Sequence, residues 1–281
     1  FPSILKVTAG ENTYMDGIGA GPVFVCPEDG IKVSPSPGYS MPSNYVDKAK
    51  TLNGVGYRSD RFVFSDDVVL PSIYRVVFNS YNKVHATFYV VGGDECPTPT
   101  TTPSRPNYYF DKWPIDSKGV TEDLFIDAVW TPIEYNVTFG NNLVYSINGK
   151  NFSQPGTHVV TVEDLITISA SYGYELPANY IPLGIFIKKG EGYNATSNYT
   201  FADICFVRYV DNVTNLSKQF FYTKSTIHTI VNPRTQPNPL FVFDLEGTGY
   251  ELSDFLGWAS DGQVYTYEEI IVDRNILFSS L

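Results

Sequence analysis

The sequence is poor in the groups that most reactions and most charged partners require. Its three cysteines, Cys26, Cys96 and Cys205, stand too far apart for a zinc knuckle or a disulfide scaffold and allow at most one intrachain bridge. His85, His158 and His228 have no His or Cys at ligand spacing, so each reads as a solvent-facing or strand-pairing side chain. Charged residues make up only 17%, and 19 Lys plus Arg against 30 Asp plus Glu leave a net charge of -11 and a pI near 4.7. With Lys188-Lys189 as the one adjacent basic pair, nucleic acid and anionic membrane surfaces are not expected partners, because both need clustered cations. No apolar run approaches the roughly 20 residues that cross a bilayer, so no direct membrane insertion is expected. The chain opens at Phe1 without Met or a basic-then-apolar leader, as a processed secreted protein or a trimmed piece would, and the expected location is extracellular, at the cell surface.

Catalytic signatures are missing too. There is no HExxH, no GxSxG elbow and no phosphate loop, and the GIGAG run at 17 to 21 lacks the spacing of a dinucleotide fingerprint and reads as a flexible turn. No catalytic residue, cofactor or metal ligand is therefore assigned. Oxygen-rich loops near Asp244, Glu246 and Asp254, or near Asp261, leave calcium open as a ligand, although the EF-hand spacing fails because Phe255 stands at the final ligand place. Acidic pairs such as Asp66-Asp67 and Glu122-Asp123 leave a glycosidase dyad formally open.

What is abundant is apolar, aromatic and turn-forming. Hydrophobic residues make up 43%, Phe and Tyr together number 40, and 41 Gly and Pro cut the chain about every seventh residue into strand-sized pieces. Alternation at 75–78, 86–91 and 135–139 ends in turn residues, and even the Gly- and Pro-free stretch 193–232 is rich in β-formers. An all-β fold with at most short helices follows, and residues 264–271 are the one helix expected. The segment PTPTTTPSRP at 97–106 has a linker-like composition but reads as an ordered loop because of where it stands.

The chain also matches itself. GYSMPSNYV at 38–46 is echoed by GYELPANYI at 173–181, and Ile31, Val33 and Ser34 line up with Ile166, Ile168 and Ser169. Glu28-Asp29 aligns with Glu163-Asp164, Val7-Thr8 and Gly10 with Val137-Thr138 and Gly140, and Gly54, Gly56, Tyr57, Phe64 and Asp66 with Gly190, Gly192, Tyr193, Phe201 and Asp203. Behind each copy, Phe110 and Trp113 correspond to Phe255 and Trp258, and the closing segment 120–130 to 271–281. The expected organisation is four small β modules made by internal duplication, in the order A-B-A-B: A1 at 1–75, B1 at 76–133, A2 at 134–205 and B2 at 206–281. The two Trp are expected in module cores, where a large ring supplies the apolar area that a small module needs.

In B1, VHATFYVVGG at 84–93, then Pro103, Arg105-Pro106, Tyr109, Phe110 and Trp113, and finally Ala128-Val129-Trp130 handing over to Tyr135–Phe139, resemble the Listeria–Bacteroides repeat, or internalin B-repeat. The resemblance covers about 84–139 and, more loosely, 206–281. Lys112 stands where that pattern has Gly, and B2 ends in Ser279 and Leu281 where the pattern has Ala and Trp. The resemblance implies a β-grasp-like module found in tandem in surface proteins, and it says nothing about A.

Two sets of candidate residues follow. Asn-x-Ser/Thr triplets start at Asn136, Asn151, Asn194, Asn198, Asn212 and Asn215, a mild excess over chance, and are N-glycosylation candidates if the chain passes a secretory route. The apolar ends, with Phe1, Ile4, Leu5 and Val7 at one and Ile276, Leu277, Phe278 and Leu281 at the other, are assembly candidates for a homo-polymer or for neighbouring modules. A monomeric piece of a longer protein explains the same ends. The function expected is a non-enzymatic extracellular structural protein, filament-forming or adhesive. The alternatives are a glycan- or host-protein-binding module using exposed Tyr39, Tyr45, Tyr174 and Tyr180, and, behind it, a glycoside hydrolase.

Overall fold

The computed structural model describes residues 5–9, 12–14, 30–116, 118–230, 245–266 and 268–281. The fold is all-β, with 48% strand and 4% helix. The chain forms two compact units, Phe1–Thr131 and Pro132–Leu281. Phe1, Ile4, Cys26, the 17–21 glycine run, Glu28-Asp29 and Asp244 lie outside the described residues.

In the first unit, β1 (Leu5–Ala9) lies between β2 (Asn12–Tyr14) and β3 (Lys32–Pro35), both antiparallel to it. A six-residue helix α1 (Tyr45–Lys50) precedes the hairpin of β4 (Val55–Arg58) and β5 (Arg61–Phe64). Ile31 and Phe62 exchange two backbone bonds of 2.8 Å, which extends the order to β2-β1-β3-β5-β4. Beneath it Leu5, Val7, Ile31, Tyr45, Ala49 and Phe62 form one core. The second half of the unit is the hairpin of β6 (Ile73–Ser80) and β7 (Lys83–Val91), then β8 (Tyr108–Lys112), β9 (Leu124–Asp127) and β10 (Val129–Pro132). β9 runs parallel to β6, and β10 pairs with β8. Val76, Phe78, Val90 and Ile126 make its core, with Trp113 against Phe78 at 5.0 Å. The 97–106 loop is ordered: Pro103 is buried, the backbone and hydroxyl oxygens of Thr101 each lie 2.9 Å from His85 Nε2, and the Arg105 guanidinium lies 3.5 Å from the Tyr108 ring centre.

The second unit begins with β11 (Tyr135–Phe139), β12 (Leu143–Ile147), β13 (Lys150–Phe152), β14 (Gly156–Val160), β15 (Ile166–Ala170), β16 (Phe186–Lys189), β17 (Gly192–Ala195) and β18 (Tyr199–Phe201). They form two sheets, β14-β11-β18 and β13-β12-β15-β17-β16, around Val137, Phe139, Tyr145, Phe186 and Phe201. β19 (Ile204–Val210), β20 (Ser217–Thr223), β21 (Thr226–Thr229), β22 (Trp258–Ser260), β23 (Gln263–Tyr265), β24 (Glu269–Val272) and β25 (Ile276–Ser280) follow, arranged as the sheet β20-β19-β25-β22-β23 and the ribbon β21-β24. Val207, Tyr209, Phe255, Trp258 and Phe278 are their core.

The order β13-β12-β15-β17-β16 repeats β2-β1-β3-β5-β4, and the registers agree. Val7 faces Val33 and Tyr14, as Tyr145 faces Ile168 and Phe152. β1 thus occupies the place of β12, whereas the letters Val7-Thr8 align with Val137-Thr138 on β11. The motifs at 38–46 and 173–181 share their turns bond for bond. Tyr39 N donates to Ser36 O as Tyr174 N does to Ser171 O, both at 3.0 Å, and Tyr45 N donates to Pro42 O as Tyr180 N does to Pro177 O, at 3.0 and 3.1 Å. Gly38 and Gly173, at φ +85° and +83°, supply the left-handed residue at the same place.

The two segments differ after this point. α1 has Asp47 in its first turn and Lys48 and Lys50 in its last, which suits the helix dipole, and it buries Tyr45 and Ala49 on one face. Pro182 stands where α1 has Asp47 and biases Ile181 away from helical backbone, so A2 forms a turn there. The expected helix at 264–271 does not form: its described residues give the ends of β23 and β24, where β-branched and aromatic side chains pair across strands instead.

Candidate functional site

The residues that the self-match singles out converge, in the first unit, on the contact of the 36–45 segment with the β6–β7 hairpin and, in the second, on the contact of the 171–180 segment with the β19–β20 hairpin. In the first, the Tyr39 ring lies 5.6 Å from Tyr89 and the Arg75 guanidinium 5.6 Å above it. Arg75 and Tyr89 face each other across the β6–β7 hairpin. The carboxylate of Asp123, just before β9, accepts from Arg75 N at 2.8 Å and from the Tyr39 hydroxyl at 3.4 Å. Tyr89 Oη donates to the Gly38 carbonyl at 2.5 Å.

The second unit builds the same joint with different atoms. Tyr174 lies 5.9 Å from Phe206 and 6.2 Å from Phe221, and those two face each other across β19–β20. Asn275, just before β25, accepts from Phe206 N at 3.1 Å and donates through Nδ2 to the Tyr174 hydroxyl at 2.7 Å. Gln219 Nε2 donates to the Gly173 carbonyl at 3.3 Å. Exchanging Asp for Asn reverses the donor at the tyrosine and keeps the geometry, since an amide donates where a carboxylate can only accept.

A further carboxylate ties each joint. Asp94 accepts from Lys48 at 2.5 Å and from Asn44 at 2.7 Å, and the Lys48 hydrogen bond holds its carboxyl below the ordinary Asp range. Asp203 accepts from Asn141 N at 2.7 Å and from Lys224 at 3.3 Å, and the backbone bond from Asn141 lowers it likewise. Asp164, at the turn before β15, is desolvated, yet bonds from Thr161 and Asn148 outweigh that and hold it low.

The aromatic anchors correspond as well. Phe110 lies 5.3 Å from Trp113, and Phe255 lies 5.1 Å from Trp258. Trp258 is 1% exposed and sits 4.6 Å from Tyr209, whose place on β19 is that of Phe78 on β6. Trp113 is half-buried.

Several expectations are corrected. Tyr45 and Tyr180 are buried core residues whose hydroxyls donate to Pro71 O and Ala202 O, while Tyr39 and Tyr174 are half-buried in the joints, so none is an exposed glycan platform. Leu5 and Val7 are 1% exposed on a strand with a neighbour at each edge, and Ile276 and Phe278 face the core on β25, itself flanked by β19 and β22. These strands complete their own sheets and cannot also pair with a second subunit. Leu277 and Leu281 do face solvent.

Among the sequons, Asn136, Asn151, Asn198, Asn212 and Asn215 are exposed. Asn194 is buried with its Nδ2 donating to Asp164 O at 2.8 Å, so it cannot carry a glycan in this fold. Asn212 donates through Nδ2 to Ser280 O at 2.7 Å, and Asn198 Oδ1 accepts from Asn136 N at 2.7 Å.

His228 is strand-paired, opposite Ile270, and half-buried rather than solvent-facing. Its two ring nitrogens lie 2.6 and 2.7 Å from the hydroxyls of Tyr209 and Tyr222, and burial lowers its pKa. Among the described residues Cys96 and Cys205 form no disulfide. Asp261 is paired with Arg274 at 2.7 Å, and among the described residues no three His, Cys, Asp or Glu side chains gather as a metal site would require. The joint partners Arg75, Tyr89, Phe206, Phe221 and Asn275 were not among the expected site residues, and Asp123 stood out only as half of an acidic pair. The available signal was an Asp or Asn directly before each closing strand. No protein-family model matches the chain, and no curated protein matches it.

Proposed function

We propose that the protein is a non-enzymatic structural protein of the extracellular cell surface, made of tandem β modules in the order A-B-A-B, with B modules of the Listeria–Bacteroides type. One observation carries this reading: a single A–B joint is built twice, with Tyr39 and Tyr174 at its centre. The positions that repeat most clearly in the sequence thus hold one module to the next. They fix geometry, which is what a spacer, stalk or filament subunit needs from its sequence, and stacking on a neighbour supplies stability that small modules lack alone. The exposed sequons agree with an extracellular setting, and glycans are the modification they would carry. Immunogold electron microscopy of source cells tests the reading: label on elongated surface structures is expected, and label confined to the cell interior overturns it.

A further inference from the structure

We infer a further function, resistance to tension along the chain, from how the strands of three modules are ordered. Among the described residues three strand pairs run parallel: β11 with β18 and β19 with β25 each join the first strand of a module to its last, and β6 with β9 joins the first strand of B1 to the one before its last, β10. A force applied through the ends of such a module pulls the first strand backward and the last strand forward. Because the two are parallel neighbours, these pulls run along the strands and shear the ladder between them. Interstrand hydrogen bonds lie across the strands, so they must fail together. In an antiparallel hairpin the same force opens the pair from one end and breaks one bond at a time.

The surroundings of these ladders strengthen the argument. β19 and β25 hold the second and third places in the five-stranded sheet, covered on both edges, with four residue pairs from Val207–Ile276 to Val210–Ser279. Val207, Tyr209 and Phe278 are nearly inaccessible, and the Tyr209 and Phe278 rings stack at 5.1 Å across the ladder. The core face of the ladder is thereby closed to water, while Arg208 and Leu277 cover the other face, so water competes poorly for these bonds as they stretch, which raises the barrier to rupture. In B1 the Asn79 amide adds a side-chain bond to Asp127 at 3.1 Å. Only Ala202 and Asp203 separate β18 from β19, so load leaving one ladder enters the next. A1 is the contrast, since its described pairings are all antiparallel.

The inference goes beyond the structural reading, because it concerns rupture force and holds wherever the protein resides. Single-molecule force spectroscopy on the full chain tests it, using one folded protein and two handle placements. Handles at residues 202 and 281 load B2 through the opposite ends of β19 and β25 and shear the ladder. Handles at residues 215 and 281, both just past the C-terminal ends of those strands, peel it. The rupture force with the first pair is expected to be at least twice that with the second, with a length gain on the order of 25 nm for the segment released. Equal forces, or a weaker response from the 202–281 pair, overturn the inference. Surface labelling and rupture force are separate readouts, so either reading can fail alone.

Discussion

Replacing Tyr174 with Ala tests the joint at its centre. The ring is half-buried between Phe206 and Phe221 and also packs on the A2 core. Half of a tyrosine's area, about 100 Å², at about 25 cal/mol per Å² gives a loss near 2.5 kcal/mol. The hydroxyl's bond with Asn275 adds up to about 1 kcal/mol, less because the pair is solvent-exposed. Tyr174→Ala should therefore cost about 3 kcal/mol, a factor near 100 in the unfolding constant. Since the ring links the β11–β18 sheets to the β19–β20 hairpin, the loss should also separate their unfolding. Hydrogen exchange in increasing urea, followed separately on peptides from β11–β18 and β19–β25, reads both effects. In the wild type the two sets should open together; in the variant one should open at clearly lower urea. A Tyr174→Phe by Asn275→Ala cycle isolates the hydrogen bond, with an expected coupling of about 0.5–1 kcal/mol. A Tyr174→Ala cost below 1 kcal/mol with unchanged co-opening would refute the account of the joint.

Asp94 and Asp203 have folded pKa values below their unfolded ones, so the stability they contribute is present above about pH 5 and drains as pH falls below about 4; acid titration of Asp203→Asn should show a shallower fall than wild type. Asn194→Ala should cost about 1–3 kcal/mol in urea melts, because it leaves the part-buried Asp164 carbonyl without that donor, whereas Asn151→Gln at an exposed sequon should stay within about 0.5 kcal/mol. A Cβ on Gly173 would meet nothing within 4 Å, so Gly173→Ala isolates the cost of its positive φ, about 1–2 kcal/mol by thermal melt.

Legibility in this sequence followed how narrowly each position is constrained. The 38–46 and 173–181 motifs align correctly because Gly, Pro and Tyr each satisfy a particular turn, left-handed angle or hydroxyl partner that few residues can replace. Strands are less constrained, since any alternating apolar run fills a sheet position. That is how β1 came to match β11 in letters while occupying the place of β12. The joint stayed hidden for a related reason. Aligning 120–130 with 271–281 sets Asp123 against Arg274 and Ile126 against Leu277, one residue away from the pairing in the ladders. There Val76 faces Leu124 and Val207 faces Ile276, so Asp123 corresponds to Asn275 and Ile126 to Phe278. A slip of one residue exchanges the two faces of a strand, which makes the two alignments separable by experiment. If the ladder is right, Phe278, 1% exposed and stacked on Tyr209, should cost about 3–5 kcal/mol as Phe278→Ala. Leu277, 53% exposed, should tolerate Leu277→Asp within about 0.5 kcal/mol. Urea unfolding of the two variants decides the matter, because the letter alignment points Leu277 into the core with Ile126 and requires the opposite ranking.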